Sequence, residues 1–178
     1  MTMETKNLSG NNALPTLDWS AVAEALANGF TQAPGTGGPN RHTVWLATVN
    51  ADGSPHVNGV GALWLEDTFW FVTGQRSVKG RNLARDNRCS LSLAVGDYDV
   101  VLEGTAALIT DPAVVAARCK DYNDDGWPCF LDATRTGFDA PFMAPSAGPA
   151  PWSVYRVDLT SASALHCVEP GGATRWSF

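Results

Sequence analysis

From Arg88 to Val95, Cys89, Leu91, Leu93 and Val95 alternate with Ser90, Ser92 and Ala94. That period of two predicts a strand with one face in a core. Thr43 to Val49 (TVWLATV) and Thr68 to Thr73, with its aromatic run Phe69-Trp70-Phe71, predict two more by β-branched and aromatic content. Asn50-Ala51-Asp52-Gly53-Ser54 reads as a hairpin turn into a strand from Pro55 to Leu65. Gly96-Asp97 turns the chain into a long strand, Tyr98 to Ile109, of a length that suits a curved sheet. Trp152 to Leu159 alternates again, and Ala164 to Val168 and Ala173 to Phe178 predict two closing strands.

Helical periodicity is confined to three places. Asp18 caps a helix running to about Asn28, with Trp19, Val22 and Leu26 on one face and Gly29 as its stop. Asp111-Pro112 opens a second that reaches about Asn123 and buries Val115, Cys119 and Tyr122. A third, short helix follows Ser77. Residues 1–15 are polar and are expected to be loosely attached. Thr31 to Arg41 and Gly126 to Pro151 predict loops, the second long enough to be functional or to wrap a neighbour. Strands joined by short turns pair antiparallel, and no regular βαβ alternation is visible. The expectation is one mainly β domain over residues 16–178, an antiparallel barrel with peripheral helices.

At 178 residues such a domain has room for a real core. A net charge of −6 argues against a nucleic-acid partner, because phosphate backbones need a basic footprint. No apolar run is long enough to span a bilayer and no apolar leader is visible, so the expectation is a soluble, cytoplasmic protein with no membrane partner. Of the seven tryptophans, Trp45, Trp64, Trp70 and Trp176 are read as core or interface. The four cysteines lack C-x-x-C spacing and are expected to be buried thiols, and the three histidines are isolated, so no metal site is expected.

The chemistry gathers at Thr73 to Asn82, T-G-Q-R-S-V-K-G-R-N. Ser77 stands where an N-cap belongs, and a helix N-terminus offers unpaired N–H donors to an anion. Lys79 and Asn82 lie three apart on one helical face, and Arg76 and Arg81 add positive charge in an otherwise acidic chain. The same residues also fit a capped surface helix with a solvated basic face. The strand at Pro55 to Leu65 carries Asn58-Gly59-Val60-Gly61-Ala62 in its middle. Glycines there suit either a bulge or a flat ring lying close to the backbone.

Trp45 to Val57 (WLATVNADGSPHV), Phe69 to Thr73 (FWFVT) and Ser77 to Leu83 (SVKGRNL) together resemble the pyridoxamine 5′-phosphate oxidase-like split β-barrel superfamily. The likeness covers about residues 40–178 and is nearest to its flavin and deazaflavin oxidoreductases, which Ala144 to Val157 and the ending TRWSF also resemble. It implies a six-stranded antiparallel split barrel that forms a homodimer with cofactor clefts at the interface. Ser77, Lys79 and Asn82 match the residues that contact the cofactor phosphate, and Val72 and Thr73 line the same cleft. The ring is then expected against His56, Val57, Asn58, Gly59 and Val60, with Trp176 stacking over the cleft. Coenzyme F420 is favoured over FMN from the S-x-K-x-R-N-L form, with Arg76, Arg81 and Arg85 as candidates for its anionic tail. The implied activity is hydride transfer to or from a small unsaturated organic substrate. A non-catalytic carrier or sensor is the alternative, as is haem binding through His42, His56 or His166. Tyr122, Tyr155 and His56 are candidate proton donors, though each is more readily read as a packed aromatic or a structural hydrogen-bond donor.

Overall fold

The computed structural model describes residues 3–10, 14–30, 43–144 and 147–178, so the expected loop at Thr31 to Arg41, and His42 beside it, lie outside the described residues. Among the described residues, ten strands and three helices follow in the order β1 (Glu4–Asn7), α1 (Trp19–Ala27), β2 (Thr43–Val49), β3 (Pro55–Leu65), β4 (Thr68–Thr73), α2 (Val78–Arg85), β5 (Arg88–Val95), β6 (Tyr98–Ile109), α3 (Pro112–Asp124), β7 (Phe130–Leu131), β8 (Gly137–Asp139), β9 (Trp152–His166) and β10 (Ala173–Ser177). Six strands close antiparallel in the cycle β9-β4-β3-β2-β5-β6, with β6 returning to β9. The expected six-stranded barrel with peripheral helices is the fold.

The barrel interior holds Leu46, Val60, Phe69, Phe71, Leu91, Leu102 and Val157 among its buried residues. Phe71 stacks on Tyr155 at 5.2 Å between ring centroids. α1 plugs one end through Val22 and Leu26, and its Trp19 packs against Trp64, Trp176 and Phe178. A second core lies outside the barrel wall, where Trp70, Val72, Phe138, Trp152 and Val154 meet Val115, Cys119 and Tyr122 of α3. This explains why every residue of β4 is buried: alternate side chains point into two different cores. Arg118 lies over the Trp70 ring at 4.6 Å, and the Tyr122 hydroxyl donates to the Trp70 carbonyl at 3.1 Å, holding α3 on the sheet.

Three segments differ from the sequence expectation. Glu4–Asn7 is a strand, paired with β10 from Glu4↔Ser177 to Asn7↔Thr174; its side chains are all exposed, so no apolar alternation signals it. The long loop from Gly126 contains the β7–β8 hairpin, whose turn is gathered by Asp132 accepting from the backbone N–H of Thr136 and Gly137. The strands read separately at Trp152–Leu159 and Ala164–Val168 are one continuous β9. Its middle is polar, but Thr160 and Ser161 donate to the Glu103 carbonyl and carboxylate. A register shift at Glu103/Gly104 keeps both halves paired with β6. Among the described residues, no helix is long and apolar enough to cross a membrane.

Candidate functional site

At the end of the barrel opposite α1, the C-terminus of β2, the start of β3 and the end of β4 come together under α2. Ser77 caps α2 from an extended backbone, and its Oγ accepts the Gly80 N–H at 3.0 Å. The Thr73 and Ser77 hydroxyls are also 3.0 Å apart, tying the end of β4 to the cap. Asn82, on the buried face of α2, donates to Thr48 Oγ1 at 3.1 Å and to Asn50 Oδ1 at 3.0 Å. Arg85 donates to the Val49 carbonyl. Polar bonds thus fasten α2 to the β2–β3 turn.

Lys79 lies in the first turn of α2 and is only 1% exposed. Removal from water disfavours its charged form and pushes its pKa down to about 8. A cation held in a dry site, one turn-residue from a helix N-terminus, gains strongly from an anion placed beside it. Gly80 makes the packing possible. A Cβ there would lie 2.3 Å from the Gly74 carbonyl oxygen, so the helix rests directly on the Gly74–Gln75 backbone.

On the other side of that turn lies a cavity of about 440 Å³. It is walled by Gly74 to Ser77, by Asp132, Thr134, Thr136 and Gly137 of the β7–β8 hairpin, and by Ala147 to Ser153. Gln75 donates to Ser153 Oγ at 2.9 Å and fixes the turn to β9.

A sequence profile described as pyridoxamine 5′-phosphate oxidase matches residues 38–135, more than half of the chain. The chain belongs to this family. Solved structures of the same fold include a conserved hypothetical protein of Mycobacterium tuberculosis, with TM-score 0.58 and 21% identity over 85% of this chain and 86% of that one. A pyridoxamine 5′-phosphate oxidase-related, FMN binding protein of Nostoc punctiforme gives TM-score 0.55 and 19% identity over 87% of each chain. A heme binding protein from Mycobacterium smegmatis gives TM-score 0.57 and 16% identity over 89% of this chain and 59% of that one. No curated protein matches the chain.

In this pyridoxamine 5′-phosphate oxidase-like barrel, Thr73 meets Ser77 at the cap of α2, and Asn82 of the same helix reaches Thr48, which pairs in register with His56. Lys79 is buried in the first turn, between Ser77 and Asn82 in sequence. Val57, Gly59 and Gly61 face outward on β3. A Cβ at Gly59 would meet the Thr43 Cγ2 methyl at 3.0 Å, so cross-strand packing partly covers that glycine. At Gly61 it would meet nothing within 4 Å, which leaves an open strip of backbone. Asn58 carries a buried Oδ1 with no hydrogen-bond partner. Val60 and Val72 turn their side chains into the first and second cores, so only their backbones are available. Arg76 and Arg81 are exposed.

Trp176 requires a correction. It is 1% exposed and packs with Trp19 at 5.3 Å at the α1 end, so its ring cannot cover a cleft. Tyr122 and Tyr155 are also packed residues, and burial raises both phenol pKa values. Of the three proton-donor candidates only His56 is partly exposed. His166 packs against Tyr98 at 5.0 Å. Cys167 is exposed, whereas the other three cysteines are buried as expected. Sequence reasoning left out Thr48, Asn50, Gln75 and Gly80, which hold the site together. Only Gly80, inside the SVKGRNL motif, carried a visible signal: a glycine within a helix has a reason to be there.

Proposed function

We propose that the protein is a flavin- or deazaflavin-dependent oxidoreductase, with coenzyme F420 favoured over FMN, acting on a small unsaturated organic substrate. The observation that carries this reading is the Ser77-capped helix, its cap tied to the Thr73 hydroxyl, with Lys79 buried in its first turn. That donor set suits a phosphate, and the open backbone at Gly61 on the outward face of β3 suits a flat heteroaromatic ring. Ser77 and Lys79 would hold the phosphate, while Asn82 keeps α2 seated on the β2–β3 turn. When bound, such a ring supplies the hydride chemistry. The chain's own part is to bind, orient and keep the phosphate end dry. Arg76 is exposed beside the cap and suits an anionic tail, whereas Arg81 donates to the Arg76 carbonyl and Arg85 to the Val49 carbonyl.

A fluorescence-quench titration with FMN and coenzyme F420 side by side tests the reading. Tight binding of the deazaflavin alone is the expected result. Tight FMN binding moves the assignment to an FMN oxidoreductase, and binding of neither overturns the proposal. Consumption of the reduced cofactor with activated alkenes or quinones then separates an enzyme from a carrier or sensor.

A homodimer belongs to the same proposal. The outward face of the barrel exposes Trp45 at 50% and Val57 at 56%, with Val101 and Leu165 on the same face across β6 and β9. Apolar area of that kind on a sheet marks an interaction surface. Sedimentation should give the mass of two chains, and Trp45→Arg should shift it toward one. A wild-type monomer at tens of micromolar (about the concentration range where a standard-sized interface is saturated) would remove this part of the proposal.

A further inference from the structure

We propose that Cys119 and Cys129 form a reversible disulfide, fastening α3 to the root of the β7–β8 hairpin, when the protein meets a low-molecular-weight disulfide such as oxidised glutathione. Cys119 sits on the buried face of α3 and Cys129 immediately precedes β7. Their sulfurs are 3.6 Å apart, and both side chains are buried in the second core. Asn123 donates to the Cys119 carbonyl at 2.8 Å and to the Cys129 carbonyl at 2.7 Å, so one amide clamps both backbones at the spacing that brings the thiols together. A disulfide needs the sulfurs at about 2.05 Å, a closure of roughly 1.5 Å that small χ1 rotations can supply. Cys89 is equally buried and has no thiol beside it among the described residues.

The chemistry is two exchanges. A thiolate of one cysteine attacks the small disulfide, forming a mixed disulfide and releasing one glutathione thiolate. The second cysteine, as thiolate, attacks the protein sulfur of that mixed disulfide and expels the second. Two protein thiols are oxidised, one glutathione disulfide is reduced, and two protons pass to the leaving thiolates. Burial and the neighbouring Cys119 hold the Cys129 thiol well above the usual cysteine range, so exchange waits on opening of the segment between α3 and β7 and is slow. The bond matters because Asp132, Thr134, Thr136 and Gly137 of this hairpin wall the cavity beside Arg76 and Ser77. Oxidation anchors that wall at its root, whatever ligand the cavity receives.

The test uses the full chain carrying Cys167→Ser, which removes the exposed thiol. It is equilibrated in glutathione buffers of rising oxidised fraction, with mild urea so that the buried thiols are reached, then alkylated in denaturant and mapped by peptide mass. The expected product is a Cys119–Cys129 cross-link two hydrogens lighter than the dithiol, with Cys89 still alkylatable. Its Tm should rise by about 5 °C, reversibly with dithiothreitol. A pair still alkylatable in the fully oxidised buffer would overturn the proposal, as would glutathione adducts without the cross-link. Cys119→Ala must abolish the cross-link; its persistence would mean a different pairing.

Discussion

Lys79→Met should weaken binding of the phosphorylated cofactor about 100-fold, the loss of a charge-assisted contact worth roughly 2–3 kcal/mol. Methionine keeps the length of the buried stem and deletes only the ammonium, so the fold should survive, with Tm within a few degrees of wild type. The decisive comparison is between FMN and riboflavin, and between coenzyme F420 and its phosphate-free deazaflavin. Only the phosphorylated member of each pair should lose affinity. Equal losses within a pair would place Lys79 away from the phosphate and sink the assignment.

The same lysine gives the site a pH signature. Burial lowers its pKa to about 8, so the ammonium is charged at neutral pH, and phosphate affinity should fall as pH rises through that value. The ligand-free protein should show the opposite trend in stability. Because the folded pKa lies below the usual lysine value near 10.5, the unfolded chain holds more protons between about pH 8 and 10.5. Stability therefore increases with pH across that window. Both trends should vanish in Lys79→Met, and a persistent affinity loss above pH 8 in that variant would assign the titration to another group.

Gly80→Ala should destabilise the protein by about 3 kcal/mol, lowering Tm by roughly 6–12 °C, and abolish tight cofactor binding. Helix propensity alone argues the reverse, since alanine is favoured over glycine by about 1 kcal/mol in a helix interior. The clash decides the sign. The new methyl would lie 2.3 Å from Gly74 O and 2.9 Å from Gln75 Cα, both backbone atoms that cannot rotate away. Gly74 is itself pinned, for its N–H donates to the Ala147 carbonyl and a Cβ on it would meet that oxygen at 2.6 Å. Relief must come from lifting α2, which separates Ser77 and Lys79 from the end of β4. An unchanged or raised Tm would show that the helix does not rest on the turn as described.

Much of the fold was legible because it is written in local periodicity. Arg88–Val95 alternates along one buried face, and β5 has those bounds; Asp18, Ser77 and Asp111 each cap the helix that their residue types announce. Legibility failed where pairing is set by the backbone or by distant partners. β1 has no apolar residue to betray it. Thr160–Ser163 looks like a break because its strand character depends on Glu103, 57 positions away from Thr160, and on Arg175, which donates to Glu103 and Ser161.

The candidate site divides along the same line. Local spacing was enough to read the residue types and their order: a capped helix start, a lysine and an asparagine three positions apart, and a strand thinned by glycine. Those follow from rules acting over a few residues, where spacing fixes which side chains share a face. It took the packed barrel to make Lys79 dry and to bring Asn82 to Thr48 and Asn50. The same packing decided that Gly61 is open while Gly59 is partly covered, and that Trp176 belongs to the far end of the barrel. Burial, and with it the lowered pKa that makes Lys79 responsive to an anion, depends on which surfaces close around a side chain. That closure is set by strands far apart in sequence, and no local pattern encodes it.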